Sequence, residues 1–389
     1  MKRLVPIALL LQSALALGAP SVSLVDGTRV VGTLAAVESK DGVLVAIIAR
    51  KGGESRMPLR AVVGATYAVS QQEPSPDPFN LYLAGGDRLR GKVEGRGDAV
   101  TLASKHVAGL ERKLAQVEAI CVGTFFGQVQ AAYRAEFEKQ LRAGRDTVVV
   151  NRGSKPFPIR AVLLEVRNDA IVVRLGDRER ELPRDKVYGF VRRGADPATP
   201  SEGAILARVH FNDGGRVTLP VESIGGGEIR AGGAIIDRRH VTRIDFLGRH
   251  IERLAAMNPV SADEIALFGK APRWKKNEMI LGGPMRMDGK IYANGVGVQA
   301  KSRLEYAVGG RWNRFFVRCG IDDAASREGR ATFRVYGDGK LLKEVTRRRG
   351  EPAAVLTLDI TGVERLVLEA LPGDSYTSDL CNWAEARVY

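Results

Sequence analysis

Four residues near the C-terminus combine the side-chain types that a sugar-binding site needs. Tyr376, Asp379, Asn382 and Trp383 lie within eight residues of one another, in a segment with Ser and Thr that precedes the last strand-like run. An aromatic ring can stack on the C–H side of a sugar, while amides and carboxylates satisfy hydroxyl groups, since a buried unpaired polar group costs about 1 to 3 kcal/mol. The spacing predicts a patch that recognises hydroxyl groups.

A purely structural interpretation of the same residues stays open. Trp383 can be a core aromatic, and Asp379 can be a turn former, because Asp side chains bond to nearby backbone groups in turns. Asp322 and Asp323, which directly follow the apolar run 315–321, either form a strand-end turn or line the same patch.

Catalytic motifs are absent from the sequence. The four histidines, His106, His210, His240 and His250, are scattered, and no metalloprotease, serine-hydrolase or phosphate-loop motif occurs. A glycosidase needs two facing carboxylates about 5 to 9.5 Å apart on a substantial scaffold. Short β units offer no evident cleft for such a pair, so we do not expect an enzyme.

The elements that must position the patch are short strands. Alternating or apolar runs recur between about 285 and 389, and Gly337-Asp338-Gly339 is a typical hairpin turn. About eight such strands with turn signals are typical of a two-sheet sandwich. We predict this sandwich over residues 273–389, after a linker at 249–272.

This C-terminal segment resembles the NPCBM family, which is related to carbohydrate-binding module family 51. The resemblance rests on five motifs: Gly282-Gly283-Pro284, Gly295-Val296-Gly297-Val298, Ser302 to Tyr306 with Gly309-Gly310-Arg311, Gly320-Ile321-Asp322-Asp323, and Asn382 to Arg387. It implies a galactose-binding-like jelly roll, sugar recognition by the end loops, and often a structural calcium ion.

The motifs depart from the family at two places. Gln299 stands where the family usually has His, and Asn382-Trp383-Ala384-Glu385 replaces Asp-Trp-Ala-Asp. Amides still hydrogen-bond hydroxyl groups, so Gln299 and Asn382 remain candidate ligand contacts. Glu385 is the candidate calcium ligand, although no dense Asp/Glu loop accompanies it.

The N-terminal part shows a loose internal repeat. A hairpin turn with glycine recurs at Gly27, Gly86, Gly153 and Gly214, and each unit closes with a similar segment. We predict four small barrel-like β repeats at 21–69, 79–123, 146–193 and 204–248, which resemble Sm-like barrels. Between the second and third, Phe126, Val129, Tyr133, Phe137 and Leu141 predict an amphipathic helical spacer within 125–145. The predicted fold class is therefore mainly β.

Residues 1–18 predict export. Met1-Lys2-Arg3 precedes a short apolar run, and small residues follow at Ala14, Ala16 and Gly18, as in a cleaved signal peptide. We expect a secreted or periplasmic protein, with no later stretch apolar enough to span a membrane. Cys319 and Cys381 could pair, because export permits disulfides.

Three functions remain open. The first is a carbohydrate binder, for a galactose-like sugar or a polysaccharide, with the repeats as spacers or interaction modules. The second is an interaction scaffold whose sandwich does not bind sugar. The third is a binder of acidic polymers, since the net charge is +14. Export argues against nucleic acid as the ligand.

Overall fold

The computed structural model describes residues 19–68, 79–122, 128–152, 155–197, 199, 201, 203–248, 250–264, 274–373 and 379–389. It divides into two compact units: Met1–Ser23 with Arg29–Phe246, and Leu24–Thr28 with Leu247–Tyr389. The described part is mainly β, with 37 strands and one α-helix. None of its helices has the length and apolar character needed to cross a bilayer. The predicted export segment lies outside the described residues.

The first unit is built from short antiparallel strands. These strands are β1 Ser21–Leu24, β2 Arg29–Val31, β3 Thr33–Lys40, β4 Val43–Arg50, β5 Gly53–Pro58, β6 Val62–Thr66, β7 Leu81–Leu83, β8 Asp87–Leu89, β9 Lys92–Arg96, β10 Ala99–Ala103, β11 Val107–Ala108, β12 Leu110–Lys113, β13 Val117–Cys121, β14 Thr147–Arg152, β15 Lys155–Arg160, β16 Val162–Val166, β17 Ala170–Leu175, β18 Arg178–Pro183, β19 Val187–Val191, β20 Leu206–Phe211, β21 Arg216–Gly225, β22 Glu228–Ala231, β23 Ala234–Asp237 and β24 Val241–Leu247.

The similar endings of the four predicted repeats share one local structure. A three-residue 3₁₀ turn directly precedes β6, β13, β19 and β24; these turns are Leu59–Ala61, Leu114–Gln116, Arg184–Lys186 and Arg238–His240. Gly32 and Gly91 also match: a Cβ there would lie 2.5 Å from the carbonyl oxygen of Ala49 and 2.4 Å from that of Ala103. Both positions therefore require glycine for the same close approach. The Sm-like resemblance stays a prediction.

The predicted repeats are joined by strand pairing across their borders. β13 pairs with β19, so the second segment joins the third. β24 pairs with β6, and β21 pairs with both β3 and β8. The sequence suggested a row of separate modules, but the backbone hydrogen bonds make these segments one unit. Pairing of their terminal strands satisfies edge N–H and C=O groups that would otherwise be open.

The predicted spacer helix is confirmed. Helix α1 spans Gln128–Ala143, and Tyr133 and Phe137 on its apolar stripe are fully buried. Their rings lie 5.5 Å and 6.0 Å from the ring of Tyr188 in β19. The Tyr133 hydroxyl donates a 2.7 Å hydrogen bond to the carbonyl oxygen of Lys155, which fixes the helix on the adjacent hairpin. Phe126 lies outside the described residues.

The second unit contains the predicted two-sheet sandwich. Its strands are β25 Glu252–Arg253, β26 Ser261–Glu264, β27 Lys275–Lys276, β28 Met285–Met287, β29 Lys290–Tyr292, β30 Gly295–Gln299, β31 Ser302–Ala307, β32 Arg314–Ile321, β33 Arg330–Gly337, β34 Lys340–Arg348, β35 Ala354–Asp359, β36 Arg365–Pro372 and β37 Leu380–Val388. The six-stranded sheet has the order β27-β30-β37-β32-β35, with β25 on β37, and the five-stranded sheet has the order β26-β31-β36-β33-β34.

The core of the sandwich lies between these two sheets. Val317 and Trp383 come from the six-stranded sheet, and Leu304, Phe333 and Leu368 come from the five-stranded sheet, all fully buried. The inward positions alternate along the strands, as the pleat requires, except that in β37 they shift by one residue between Trp383 and Ala386, where Glu385 has a left-handed backbone.

Two cysteines also lie in this core. Cys319 and Cys381 are buried free thiols, and burial raises the pKa of Cys319 to about 12. The predicted possibility of a disulfide between them is therefore not realised in this structure.

The linker predicted at 249–272 is wrong in its described part. Glu252 and Arg253 pair with β37, and residues 261–264 pair with β31 as an edge strand of the five-stranded sheet. Leu254 is fully buried in the sandwich core. Strands of two and four residues are too short to show a recognisable period in the sequence. The sandwich therefore begins well before residue 273.

Candidate functional site

One end of the sandwich brings most of the predicted site residues together. Here β30 turns into β31, β32 into β33, β34 into β35 and β36 into β37, and the tip of hairpin β28–β29 joins them. We call this end the loop rim and define it by residues 286–290, 299–301, 322–330, 348–351, 373 and 379.

Asp322 holds three segments of the loop rim together. Its side chain is 2% exposed. Oδ2 accepts hydrogen bonds from the backbone N–H of Arg286 at 2.9 Å and from Nδ2 of Asn382 at 2.7 Å. Oδ1 accepts the backbone N–H of Ala324 at 2.9 Å. Since three donors converge on one buried carboxylate, the hairpin, the β32–β33 loop and β37 keep a fixed relative position.

Asp379 ties a second set of segments. It is 1% exposed, and its carboxylate accepts the backbone N–H of Arg330 at 2.8 Å and that of Gly373 at 3.2 Å. Its own carbonyl oxygen accepts the N–H of Ala300 at 2.9 Å. These contacts agree with the turn-forming role that the sequence analysis left open for Asp379. These bonds fix the loops that follow β30, β32 and β36.

Asp323 is half-buried and faces the hairpin tip. Its two carboxylate oxygens accept the backbone N–H groups of Asp288 and Gly289, both at 2.9 Å. Its carbonyl oxygen accepts a 3.0 Å hydrogen bond from Nε of Arg349. Asp323 thus lies in the loop rim and also stabilises the turn at the end of β32.

The stacking role predicted for Trp383 is corrected by the structure. The residue is fully buried, and its ring meets that of Phe333 edge-on at 5.0 Å between the sheets. Position 383 of β37 points to the core side of the sheet. Its cross-strand neighbours Val296 and Cys319 point to the same side and are buried in the core. A ring without exposed surface cannot stack on a ligand. Trp383 is the core aromatic of the alternative interpretation.

Asn382 and Gln299 occupy different environments. Asn382 is fully buried and donates to Asp322, so it supports the rim from below. Its predicted direct contact with a ligand is therefore also corrected. Gln299 ends β30 opposite Leu380 and is half-exposed at the rim. Of the two amides, only Gln299 is placed to meet a ligand.

The surroundings of Glu385 do not fit a calcium site. Glu385 has a left-handed backbone with φ 53°, and its carboxylate accepts a 2.9 Å hydrogen bond from Nε of Arg318. The guanidinium repels a second cation from this carboxylate, whereas calcium needs six to eight oxygen ligands. The described residues contain no group of three or more His, Cys, Asp or Glu that could hold a metal ion. The metal role predicted for Glu385 is therefore not supported by its contacts.

Tyr292 is an aromatic that the sequence left undecided. It ends hairpin β28–β29 and is half-buried, and burial raises the pKa of its phenol while nearby Arg318 lowers it. It lies two residues after Lys290, the last residue of the hairpin that belongs to the loop rim. The sequence signal for Tyr292 was its place in the short strand-like pattern Lys-Ile-Tyr, which directly follows a turn. Tyr376, the other predicted aromatic, lies outside the described residues.

The exposed charges of the loop rim are mostly positive. The exposed cations are Arg286, Lys290, Lys301, Arg327, Arg348 and Arg349, and the exposed acids are Asp288, Glu328 and Glu351. The buried carboxylates of Asp322 and Asp379 are occupied by backbone donors. The rim therefore presents mainly hydrogen-bond donors to solvent.

Comparison with known proteins finds a family model that matches the sandwich. Residues 254–389 match the model described as the NPCBM/NEW2 domain. A Renibacterium salmoninarum protein that bears the name endo-alpha-N-acetylgalactosaminidase is 32% identical over 108 residues, which are 27% of this chain and 7% of that protein. The present chain thus corresponds to a small part of that relative.

Two solved structures from Clostridium perfringens are also similar. The CBM51 module of GH95 in complex with methyl-galactose is 20% identical, with 36% of this chain and 99% of that chain covered and a TM-score of 0.33. The CBM51-2 and INT domains of ZmpB in complex with GlcNAc are 24% identical, with 36% and 31% covered and a TM-score of 0.33.

Proposed function

We propose that the NPCBM/NEW2 domain at residues 254–389 makes this chain an exported, non-catalytic carbohydrate-binding protein that contacts its ligand through the loop rim. The observation that carries the proposal is the convergence of backbone donors on Asp322 and Asp379, which holds the rim loops in place. A rim that is already fixed loses little conformational entropy when a ligand binds, and this favours affinity.

The side chains proposed to meet the ligand are Gln299, Tyr292 and the exposed edge of Asp323. Tyr292 offers a partly open ring, Gln299 offers both a donor and an acceptor, and Asp323 can accept from a hydroxyl beside the backbone donors that it already holds. The three rim carboxylates Asp322, Asp323 and Asp379 are engaged with backbone N–H groups. This engagement supports a binding role and not an acid–base role.

A glycan array tests the proposal with the full chain. Since the curated relative is named for N-acetylgalactosamine, glycans that end in galactose or N-acetylgalactosamine are the first probes. Gln299→Ala and Tyr292→Ala should each weaken retention about tenfold, which corresponds to about 1.4 kcal/mol. Asn313→Ala is the matched control, because Asn313 is exposed and directly precedes β32, at the opposite end of the strand from Asp322.

The array has two negative outcomes with different meanings. If the folded chain retains no glycan above background, carbohydrate binding itself fails. If it binds glycans and the Gln299 and Tyr292 variants both match the Asn313 control, the assignment of the ligand to the loop rim and the adjacent Tyr292 fails while carbohydrate binding stands.

Acidic polysaccharide is a second candidate ligand. The excess of exposed cations at the loop rim favours it, since uronate or sulfate groups would pair with Arg286, Arg327 and Arg349. Such binding should fall steeply as salt rises, because exposed charges are screened within about 10 Å at 0.1 M. Retention on a heparin column that does not change with salt would exclude this candidate.

Export has its own test. The apolar run before Ala19 supports removal of residues 1–18, so the protein recovered outside the cytoplasm should begin at Ala19. N-terminal sequencing of that protein checks this, and an intact Met1 on cytoplasmic protein would contradict it.

A further inference from the structure

A cleft lies on the outer face of the five-stranded sheet, at the end of the sheet that borders the loop rim. It has a volume of about 350 Å³ and is lined by Ala262 and Asp263 on β26, by Lys301 and Arg303 at the start of β31, and by Glu369 and Leu371 on β36. This volume falls in the lower part of the range for small-ligand sites, roughly 300 to 1,000 Å³. The cleft is thus sized for a single small ring.

The strand register aligns charged side chains across the whole sheet at this cleft. Asp263 pairs with Arg303, Arg303 with Glu369, Glu369 with Arg334, and Arg334 with Glu344. Neighbouring strands lie about 4.8 Å apart, so acceptors and donors alternate at that spacing across five strands. Cross-strand ion pairs can stabilise the sheet, which would explain the row of charged residues. They do not explain why a cleft lies at one end of that row.

The two central groups of the cleft are held in position. Nη1 of Arg303 lies 3.2 Å from Oε1 of Glu369. The Tyr336 hydroxyl donates a 2.9 Å hydrogen bond to Oε2 of Glu369, and the Arg303 guanidinium lies over the Tyr336 ring, 5.2 Å from its centroid. Both charged groups are therefore oriented before any ligand arrives.

Charge balance identifies the chemistry of the occupant. Lys301 and Arg303 only donate hydrogen bonds, and Asp263 and Glu369 only accept them. Two cations and two carboxylates give no net charge, so an anion would meet as much repulsion as attraction. Adjacent hydroxyl groups of a sugar both donate and accept, and they match an alternating row. Ala262 and Leu371 add apolar surface for the C–H side of a ring.

We infer that this cleft is a second carbohydrate contact site, which takes a neutral sugar unit of a glycan. The inference rests on the proposed carbohydrate binding, and the cleft shares one residue, Lys301, with the loop rim. A chain with two contact sites on one sandwich binds an extended glycan more tightly than a single sugar, because the second contact is intramolecular.

The test uses the full chain on an array of neutral and acidic glycans of one to six sugars. Arg303→Lys keeps the charge but removes the planar fork, and Glu369→Gln keeps an acceptor for Tyr336. Each should weaken retention on extended neutral glycans at least fivefold and leave single sugars unchanged. Arg365→Met is the matched control, since Arg365 forms a comparable 3.0 Å ion pair with Glu305 on the same face, outside the cleft.

Asp263→Asn provides a variant that does not threaten the fold, because Asp263 is exposed on the edge strand. It should weaken the same glycans about threefold, and the unfolding temperature of every variant is measured alongside. Folded Arg303, Glu369 and Asp263 variants that all bind like the control would overturn the inference, as would retention of acidic glycans alone.

The outcome also separates this site from the loop rim. Loss in Gln299→Ala with no loss in the sheet-face variants leaves the proposed function and removes the second site. The reverse result keeps the second site and removes the rim assignment. Absence of any bound glycan removes both.

Discussion

The two outer faces of the sandwich differ in how the sequence builds them. The six-stranded sheet turns Gly295, Gly297 and Gly320 outward, and chain packs directly on these positions. A Cβ on Gly297 would lie 2.3 Å from the carbonyl oxygen of Glu278, and one on Gly320 would lie 3.0 Å from the Sδ atom of Met287. The five-stranded sheet instead turns the charged side chains of Arg303, Glu369 and Arg334 outward, and these are 40%, 16% and 34% exposed. Outward glycines thus mark the sheet face on which other segments pack, and outward charged residues mark the face that is open.

This difference explains where each site can form. On the covered face, hairpin β28–β29 buries Met285 and Met287 and is tied to the loop rim through Asp322 and Asp323. The hairpin therefore covers the part of this face next to the loop rim, whereas Val355 on β35 is 52% exposed. On the open face, charged side chains remain available along the strands themselves.

The largest expected effect concerns the core that both faces share. Trp383→Ala should lower the free energy of unfolding of the second unit by about 4 kcal/mol, because a large buried ring leaves a cavity. Trp383→Phe should cost about half as much, since an aromatic ring still meets Phe333. Urea unfolding can be followed by Trp274 and Trp312, because all three tryptophans lie in this unit. A loss in Trp383→Ala below about 1 kcal/mol would contradict the buried position.

The second largest effect is expected for Asp322, whose hydrogen bonds connect the hairpin on the covered face to the loop rim. Asp322→Ala removes the buried acceptor of three donors, of which the Asn382 amide is itself fully buried, and should cost about 3 kcal/mol. Asp322→Asn keeps one acceptor oxygen and should cost about half of that. The same unfolding measurement checks both variants. Equal losses would mean that volume, and not hydrogen bonding, accounts for the role of Asp322.

A comparison of two glycine substitutions then distinguishes close contacts with backbone from close contacts with a side chain on the covered face. Gly297→Ala should cost about 2 kcal/mol, since the new methyl meets the backbone of residues 278–280, which cannot move without strain. Gly320→Ala meets only the flexible end of Met287 and should cost at most about 1 kcal/mol. Thermal unfolding of the two variants in parallel tests the order, and a reversed order would break the comparison.

The smallest effect is expected on the open face. Arg365 and Glu305 are 54% and 30% exposed, so Arg365→Met should change stability by less than about 1 kcal/mol. A double-mutant cycle with Glu305→Gln measures the pair itself. A coupling above about 2 kcal/mol would mean that this face is shielded from solvent and would contradict its description as open.

Much of the fold follows from local sequence signals. The strands, the amphipathic helix around Tyr133 and Phe137, and the four similar segment endings all rest on short-range periodicity and turn residues, and the structure contains them. Asp322, Asp323, Asp379 and Gln299 lie at one end of the sandwich, because each stands at or next to the end of a strand. For Asp322 and Asp323 the sequence left a strand-end turn and a place in the patch both open.

The side on which each residue lies was harder to predict. Trp383 and Asn382 are neighbours in a strand, so one must face the core and one the outer side, and neither choice is visible without the register of β37. The row from Asp263 to Glu344 is drawn from five strands and exists only after all four pairings are set. The border-crossing pairs of the first unit, such as β6 with β24, are equally non-local.

Those border-crossing pairs limit how this protein can be rearranged. Excising the segment that carries β24 would leave β6 paired only with β1 and would expose the amide and carbonyl groups on its other edge. An exposed ladder of this kind recruits other chains and promotes aggregation. Although its segments look alike, the N-terminal half should therefore be inherited and transplanted intact, and shortened or lengthened versions should be insoluble unless the missing partner strand is replaced.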